Sequence, residues 1–303
     1  MPLWLNEKGL NKEKYQNLFN YITKDLTLNK NGFLLKKAEA LTQQLDTNLT
    51  TDELYRTELK LTSLYYDFLN HAIYGEIQWK SFARKLSTLK RYRINAKWLK
   101  HRPKFNLMKL VSNPDINTSI TEVTPKHFGY QNLIEGLALL TTIKEHGGWV
   151  KLPYFKRLEL GSTGEVVVQL RERLKASGDY LACENNVSLL SEIVLQHNKQ
   201  DTDNNESTEE KHIDPDAIFG TCLDLAVKKF QKRHGLVIDG IVGGGTQRAL
   251  NTSVEEKINT ILLNIDRVKW LPRKEDKRYL VVNLPEFKLH YIEDNQTKKE
   301  LVC

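Results

Sequence analysis

Cysteine is scarce in this chain: Cys183, Cys222 and Cys303 are the only three among 303 residues. No two of them form a C-x-x-C pair, so the ligand spacing of a structural zinc site is missing. Cys183 and Cys222 bracket an acidic stretch. They read either as two free buried thiols, the preferred reading, or as a disulfide closed in an oxidising compartment. Long apolar runs are missing as well, and none approaches the length that spans a bilayer. The N-terminus, MPLWLNEKGLNKEKY, lacks the apolar core of a secretion signal. The expectation is a cytoplasmic protein, or one whose targeting segment lies outside these residues. Negative charge is absent over one long stretch, with no Asp or Glu from Ile77 to Pro114.

What is present describes a folded chain with more than one core. Forty per cent hydrophobic and 27% charged residues make a soluble, globular balance, and a length of 303 residues allows two or three cores. The net charge of +7 favours anionic partners without naming one. The acid-free stretch holds Lys80, Arg84, Lys85, Lys90, Arg91, Arg93, Lys97, Lys100, Arg102, Lys104 and Lys109, with Tyr92 and Trp98 among them. A solvated helix face is the favoured reading, a nucleic-acid surface the less favoured one, and an anionic envelope polymer a third.

The first 150 residues have helical periodicity. Tyr15, Leu18, Phe19 and Ile22 form one stripe, Leu54, Leu61, Tyr65, Phe68 and Ala72 a second, and Leu133, Leu137 and Leu140 a third that ends near Gly147-Gly148. No catalytic spacing is found among them. The stretch QDTDNNESTEEKHIDPD, between Lys199 and Asp216, is acidic and free of aromatics, and reads as a loop. His197 precedes it and His212 lies within it, but without paired ligand spacing they do not make a metal site.

The stretch Phe219–Asn251 reads FGTCLDLAVKKFQKRHGLVIDGIVGGGTQRALN. Leu223, Val227 and Phe230 make the apolar stripe of a helix, with Thr221 and Asp224 as its capping pair. Gly235 ends that helix, Asp239-Gly240 forms a turn, and Thr246 is the expected N-cap of a short helix carrying Ala249 and Leu250. This order resembles the second half of the peptidoglycan-binding domain of bacterial wall enzymes, which reads FQ, G-L, D-G, G-x-x-T and A-L. Gly244 stands where that family usually has proline, which implies a looser turn. The first half, LELGSTGEVVVQLRERLKASGDY from Leu158 to Tyr180, resembles the family's opening L-x-x-G-S-x-G-x-x-V-x-x-L. The resemblance implies a small three-helix domain over residues 151–252 with an acidic insertion at about 184–217. It also implies binding of glycan and stem peptides in a groove between the halves, near Gln169, Gln231, Asp239 and Arg248. At Asp239 turn-shaping is the preferred reading.

Residues 255–272, EEKINTILLNIDRVKWLP, read as a helix stopped by Pro272, and RYLVVNLPEFKLHYIED alternates as strands. Together they resemble the approach to the catalytic domain of the large murein L,D-transpeptidases, and PLWLNEKGLN resembles the start of their scaffold. The resemblance covers nearly the whole chain and is thinnest between about Asn29 and Lys126. It implies a mainly α fold: a helical scaffold over residues 1–150, the binding domain, and over 253–303 a linker helix and the first strands of a β-rich catalytic domain. The implied reaction is acyl transfer, in which a cysteine thiolate attacks the third residue of a tetrapeptide stem, expels D-alanine to form a thioester, and passes the acyl group to an amine of another stem. The implied partner is peptidoglycan and the implied location the periplasm or cell envelope. No cofactor or metal is implied.

The family's catalytic S-x-G-C motif does not occur in these 303 residues. His290 and Cys303 are the late pair, but Glu300-Leu301-Val302 precedes the cysteine, so no catalytic residue is assigned. The expectation is a chain cut short before its nucleophile, with a separately encoded catalytic domain as a further partner. Strand edges at Tyr279–Val282 and Leu289–Ile292 should then stand open. The competing reading is a freestanding basic binding protein for nucleic acid or an anionic envelope polymer.

Overall fold

The computed structural model describes residues 2–7, 9–45, 49–93, 102–126, 129–180, 214–271, 277–283, 287–294 and 296–302. Cys183, Cys303, His197, His212, Lys97, Trp98, Lys100 and residues 184–213 of the acidic insertion lie outside them. Contacts divide the chain into two units, Met1–Ala138 with Asn259–Cys303, and Leu139–Ile258. The chain is mainly helical, with a short run of antiparallel strands at its C-terminal end.

In the first unit the periodic stripes become helices. Asn11 caps α1 (Lys12–Lys24) by accepting from Lys14 N, and Leu18, Phe19 and Ile22 are buried along it. After α2 (Phe33–Leu45), Thr50 and Glu53 form a complete capping box at the start of α3 (Thr51–Tyr74). Leu61, Tyr65 and Phe68 of α3 enter the core beside Leu64 and Leu69. The N-terminal segment is tied down on this helix. Two strands, β1 (Leu5–Asn6) and β2 (Gly9–Leu10), pair as a hairpin. Trp4 is fully buried, its backbone N–H donates to the Glu58 carboxylate at 2.8 Å, and its indole Nε1 donates to Thr62 Oγ1 at 3.1 Å. Burying Trp4 needs both bonds, because an indole or amide N–H left dry carries a penalty of about 1–3 kcal/mol.

Helix α3 ends at Gly75, where φ is +68° and a Cβ would collide with the Asp266 carboxylate. That carboxylate accepts from the backbone N–H groups of Glu76 and Ile77, at 2.8 and 3.1 Å. The basic stretch begins here, with α4 (Trp79–Thr88) and a 3₁₀ turn over Leu89–Tyr92. The side chains of Lys80, Arg84, Lys85, Lys90, Arg91, Arg93, Arg102, Lys104 and Lys109 are all exposed, which the solvated-face, nucleic-acid and anionic-polymer readings share. Helices α5 (Leu107–Val111), α6 (Ile116–Val123) and α7 (Tyr130–Glu145) follow, and α7 ends two residues before Gly147 and Gly148, both at positive φ.

The second unit is built on α8 (Glu165–Ala176), α9 (Thr221–Arg233) and α10 (Gly244–Leu250) around Val167, Leu170, Leu174, Phe219, Leu223, Val227, Phe230 and Val242. Its halves are joined by backbone pairing. Leu158 and Val242 form an antiparallel bridge, as do Thr163 and Ile218. Two expected caps differ. Helix α9 has Gly220 as N-cap and no side-chain bond there, and Asp224 pairs with Lys228 at 2.8 Å one turn on. Helix α10 starts at Gly244 with extended Gly243 as N-cap, so Thr246 lies inside it. In both places glycine lets the chain enter the helix without a side-chain acceptor. Cys222, at the start of α9, is disulfide-bonded, which overturns the preferred free-thiol reading for that residue.

Helix α11 (Val254–Lys269) leads to the C-terminal sheet of β3 (Arg278–Asn283), β4 (Lys288–Glu293) and β5 (Gln296–Val302), in the order β3-β4-β5. Leu289–Ile292 lies on the middle strand and is paired on both sides, so the open edge expected there does not exist. The alternating 288–293 segment acquires its second neighbour from Gln296–Val302, a polar run whose strand character periodicity does not reveal.

Candidate functional site

The turn between α9 and α10 is organised by Gln231. Helix α9 closes through Gly235 at φ +64°, and the chain then reverses over the buried Gln231 carboxamide. Its Nε2 donates to Asp239 Oδ1 at 2.8 Å and to Ile241 O at 3.0 Å, while Oε1 accepts from Gly240 N at 2.9 Å. Asp239 Oδ1 also accepts from Ile241 N at 2.9 Å. These two bonds, Ile241's first and then that of Gln231, hold the exposed Asp239 carboxyl below the usual carboxylate range. Gly240, at φ +78°, passes so close to the Asp224 carboxylate that no side chain fits. With every polar group of Gln231 used, the turn has one geometry. It presents Val237 and Ile238, 78% and 53% exposed, to solvent.

Of the four binding residues named from sequence, Gln231 and Asp239 are brought into direct contact. Arg248 is exposed on α10 and Gln169 exposed on α8. No hydrogen bond among the described residues links either of them to the pair. Gln231 is buried, so its reach toward a ligand is indirect, through the turn that it holds.

A second cluster in the same unit was not visible in the sequence. Arg173 of α8 is 2% exposed. Its Nε donates to Leu250 O at 2.8 Å, and its guanidinium carbon lies over Trp149, 3.8 Å from the ring centroid. Both its Nη atoms are buried without a hydrogen-bond partner among the described residues. Burial pulls its pKa down to about 10, with Asp179 acting against and Arg233 with that shift. Arg233 grips the buried Asp179 through Nε and Nη2, at 3.1 and 2.6 Å. Lys257 Nζ donates to His234 Nε2 at 2.7 Å, and burial, then the charges of Arg233 and Arg173, lower its pKa to about 8. Three cations therefore surround one carboxylate, Asp179, and the cluster is short of negative charge. On the other side of α8, buried Arg171 reaches Asp216 at 2.9 Å and Ile218 O at 2.9 Å, which fastens the second half of the unit to the first. The signal for Arg171 was its spacing: Val167, Leu170, Arg171 and Leu174 fall at i, i+3, i+4 and i+7, so a cation occupies an apolar-stripe position.

Among the candidates for acyl-transfer chemistry, His290 is buried on β4, with Nδ1 3.3 Å from Glu300 Oε1 of the neighbouring strand. Its partner in the late pair, Cys303, lies outside the described residues. Among the described residues no helix is long and apolar enough to cross a membrane.

Residues 1–137 match the family described as Scaffold domain, and residues 163–250 match the family described as Putative peptidoglycan binding domain. Two domain families thus meet in one chain. Scaffold followed by peptidoglycan-binding domain fits an architecture of the L,D-transpeptidase type. No curated protein matches the chain.

Proposed function

We propose that this chain is the scaffold and peptidoglycan-binding portion of a murein L,D-transpeptidase that forms 3→3 cross-links, acting in the cell envelope. The observation that carries the proposal is the match of residues 163–250 to a peptidoglycan-binding domain, following a scaffold match over 1–137. The physical support is a rigid turn, locked by Gln231, that offers exposed apolar and polar groups beside a cluster with excess positive charge. Stem peptides carry carboxylates, and cations short of counter-charge suit them. In this reading the scaffold covers about residues 1–150, the binding domain 151–252, and residues 253–303 lead into the catalytic domain.

Wall binding in this proposal uses Arg248 and Gln169 as direct contacts, with Asp239 and Gln231 shaping the surface between them. Arg248→Ala and Gln169→Ala should each lower the fraction that co-sediments with insoluble murein, with the circular dichroism spectrum unchanged. Sedimentation equal to the wild type would remove these residues from the site.

Acyl transfer is assigned elsewhere than to these 303 residues, since the S-x-G-C motif of the family does not occur among them. A reactive thiolate needs an electropositive, accessible setting with a base nearby. Incubation with a carbapenem followed by intact-mass spectrometry should show no adduct. A stoichiometric adduct on Cys303 would overturn that assignment.

A further inference from the structure

A cavity of about 620 Å³ opens in the first unit, between α1, α3, α6 and α7. Its volume lies within the range of small-molecule sites. Helix α1 lines it with Asn17, Asn20, Tyr21 and Lys24, at i, i+3, i+4 and i+7. This polar stripe is distinct from the Leu18, Phe19 and Ile22 stripe that enters the core. Asn117 of α6 and Gln131 of α7 bring two more carboxamides to the rim, and the floor is Phe68, Ala72 and Ile120.

Several rim groups are already oriented. Tyr21 Oη donates to Asn117 Oδ1 at 2.9 Å, and Gln131 Nε2 donates to Glu135 at 3.1 Å. The carboxamides of Asn17 and Asn20, by contrast, make no hydrogen bond to any described residue. Formal charge is balanced around the cavity. Lys24 stands beside Asp25, and Lys269, 2% exposed, lies 3.4 Å from Asp266 and donates to His71 O at 3.3 Å. An anion such as phosphate finds no excess of cations here, and an apolar ligand would leave the rim amides unmatched.

We propose that this cavity is a saccharide-binding cleft that takes a neutral oligosaccharide, with acetamido sugars as the preferred class. A carboxamide offers a donor and an acceptor in one plane, which matches a pair of neighbouring hydroxyls or an acetamido group. Four carboxamides and the Tyr21 phenol supply such pairs, and the Phe68, Ala72 and Ile120 floor takes the C–H face of the ring. The cleft belongs to the unit that matches the scaffold family. The proposal does not rest on the wall-binding reading, which concerns residues of the other unit.

The test is saturation-transfer NMR on the full chain with N,N′,N″-triacetylchitotriose as the probe, together with its titration by chemical shift. The wild type should show saturable transfer. Asn20→Ala with Gln131→Ala should weaken binding at least about tenfold, the effect of losing one to two hydrogen bonds. Alanine is the best helix former, so both helices should persist. Asn20→Trp, which fills the cleft without removing any core group, should abolish transfer. Transfer that persists in Asn20→Trp and is lost in Arg248→Ala would place the probe on the wall-binding surface instead and would overturn the proposal. Absence of transfer to the wild type, or wild-type affinity in both Asn20 variants, would overturn the proposal.

Discussion

His71 and His234 show what burial does to a titrating side chain in this molecule. His71 is 5% exposed, and its pKa is pushed down to about 3, by desolvation first and then by the Lys269 ammonium, with Asp25 pulling the other way. Glu76 also lies within 3.9 Å of its Nδ1, and Thr27 Oγ1 within 2.9 Å of its Nε2. His234 is pushed down to about 4, mainly by burial against Phe230 and despite the carbonyl bond that favours its charged form. Both values are depressed below the ordinary 6.5. The unfolded chain therefore takes up protons in a window where the folded chain does not. Stability is fully present above pH 6.5 and falls as pH drops toward 4 and 3. At pH 5 His71 alone should cost on the order of 1–2 kcal/mol. Urea unfolding should show a lower midpoint at pH 5 than at pH 7, with the difference reduced in His71→Asn. An equal or higher midpoint at pH 5 would contradict burial of a neutral imidazole. Gln231 is the second residue on which much depends. Gln231→Ala strands Gly240 N–H and takes from Asp239 one of its two hydrogen bonds, and should destabilise by about 2–3 kcal/mol. A change under 0.5 kcal/mol in urea titration would show that the turn holds without it.

At the scale of elements, α10 offers the sharpest comparison with the family resemblance. The expectation that glycine in place of proline at 244 loosens the turn can be put as a free energy. Gly244 is the first residue of the helix, the position proline favours, and extended Gly243 before it has φ −90° and ψ −173°, which a following proline accepts. A Cβ at 244 meets Arg248 Nη1 at an ordinary 3.7 Å. Gly244→Pro should therefore stabilise by about 0.4–1 kcal/mol through the unfolded chain; a lower melting temperature would mean that Gly244 uses freedom proline denies. The stripes on α1, α3 and α9 were legible because their apolar residues repeat every three to four positions. The caps of α9 and α10 were not, since Gly220 and Gly243 do the work of a side-chain cap through backbone shape alone. The role of β4 as a middle strand was also hidden, because β5, QTKKELV, is exposed along its whole length and carries no alternation to read.

For the whole molecule, the two peptidoglycan-binding signatures at Leu158–Tyr180 and Phe219–Asn251 were legible because glycines at fixed spacing mark turns. The matched span, 163–250, runs across both. The candidate site was only half legible. Gln231 and Asp239 could be named from their place in the motif, but the buried partnership of Arg173, Asp179, Arg233 and Lys257 joins residues from 173 to 257, and no local pattern foretells it. The rim of the α1 cavity was invisible for the same reason, since asparagines on a helix surface read as ordinary solvated residues until α3, α6 and α7 place their own lining residues beside them. The exposed basic side chains of Lys80, Arg84, Lys85, Lys90, Arg91, Arg93, Arg102, Lys104 and Lys109 keep a competing partner, nucleic acid, within reach of experiment. The measurement that bears most directly on the account is parallel binding of the full chain to insoluble murein sacculi and to DNA-cellulose at physiological salt. Saturable pelleting with sacculi, together with elution from DNA-cellulose, is the predicted result. A chain that stays in the supernatant with sacculi and is retained on DNA-cellulose would contradict it.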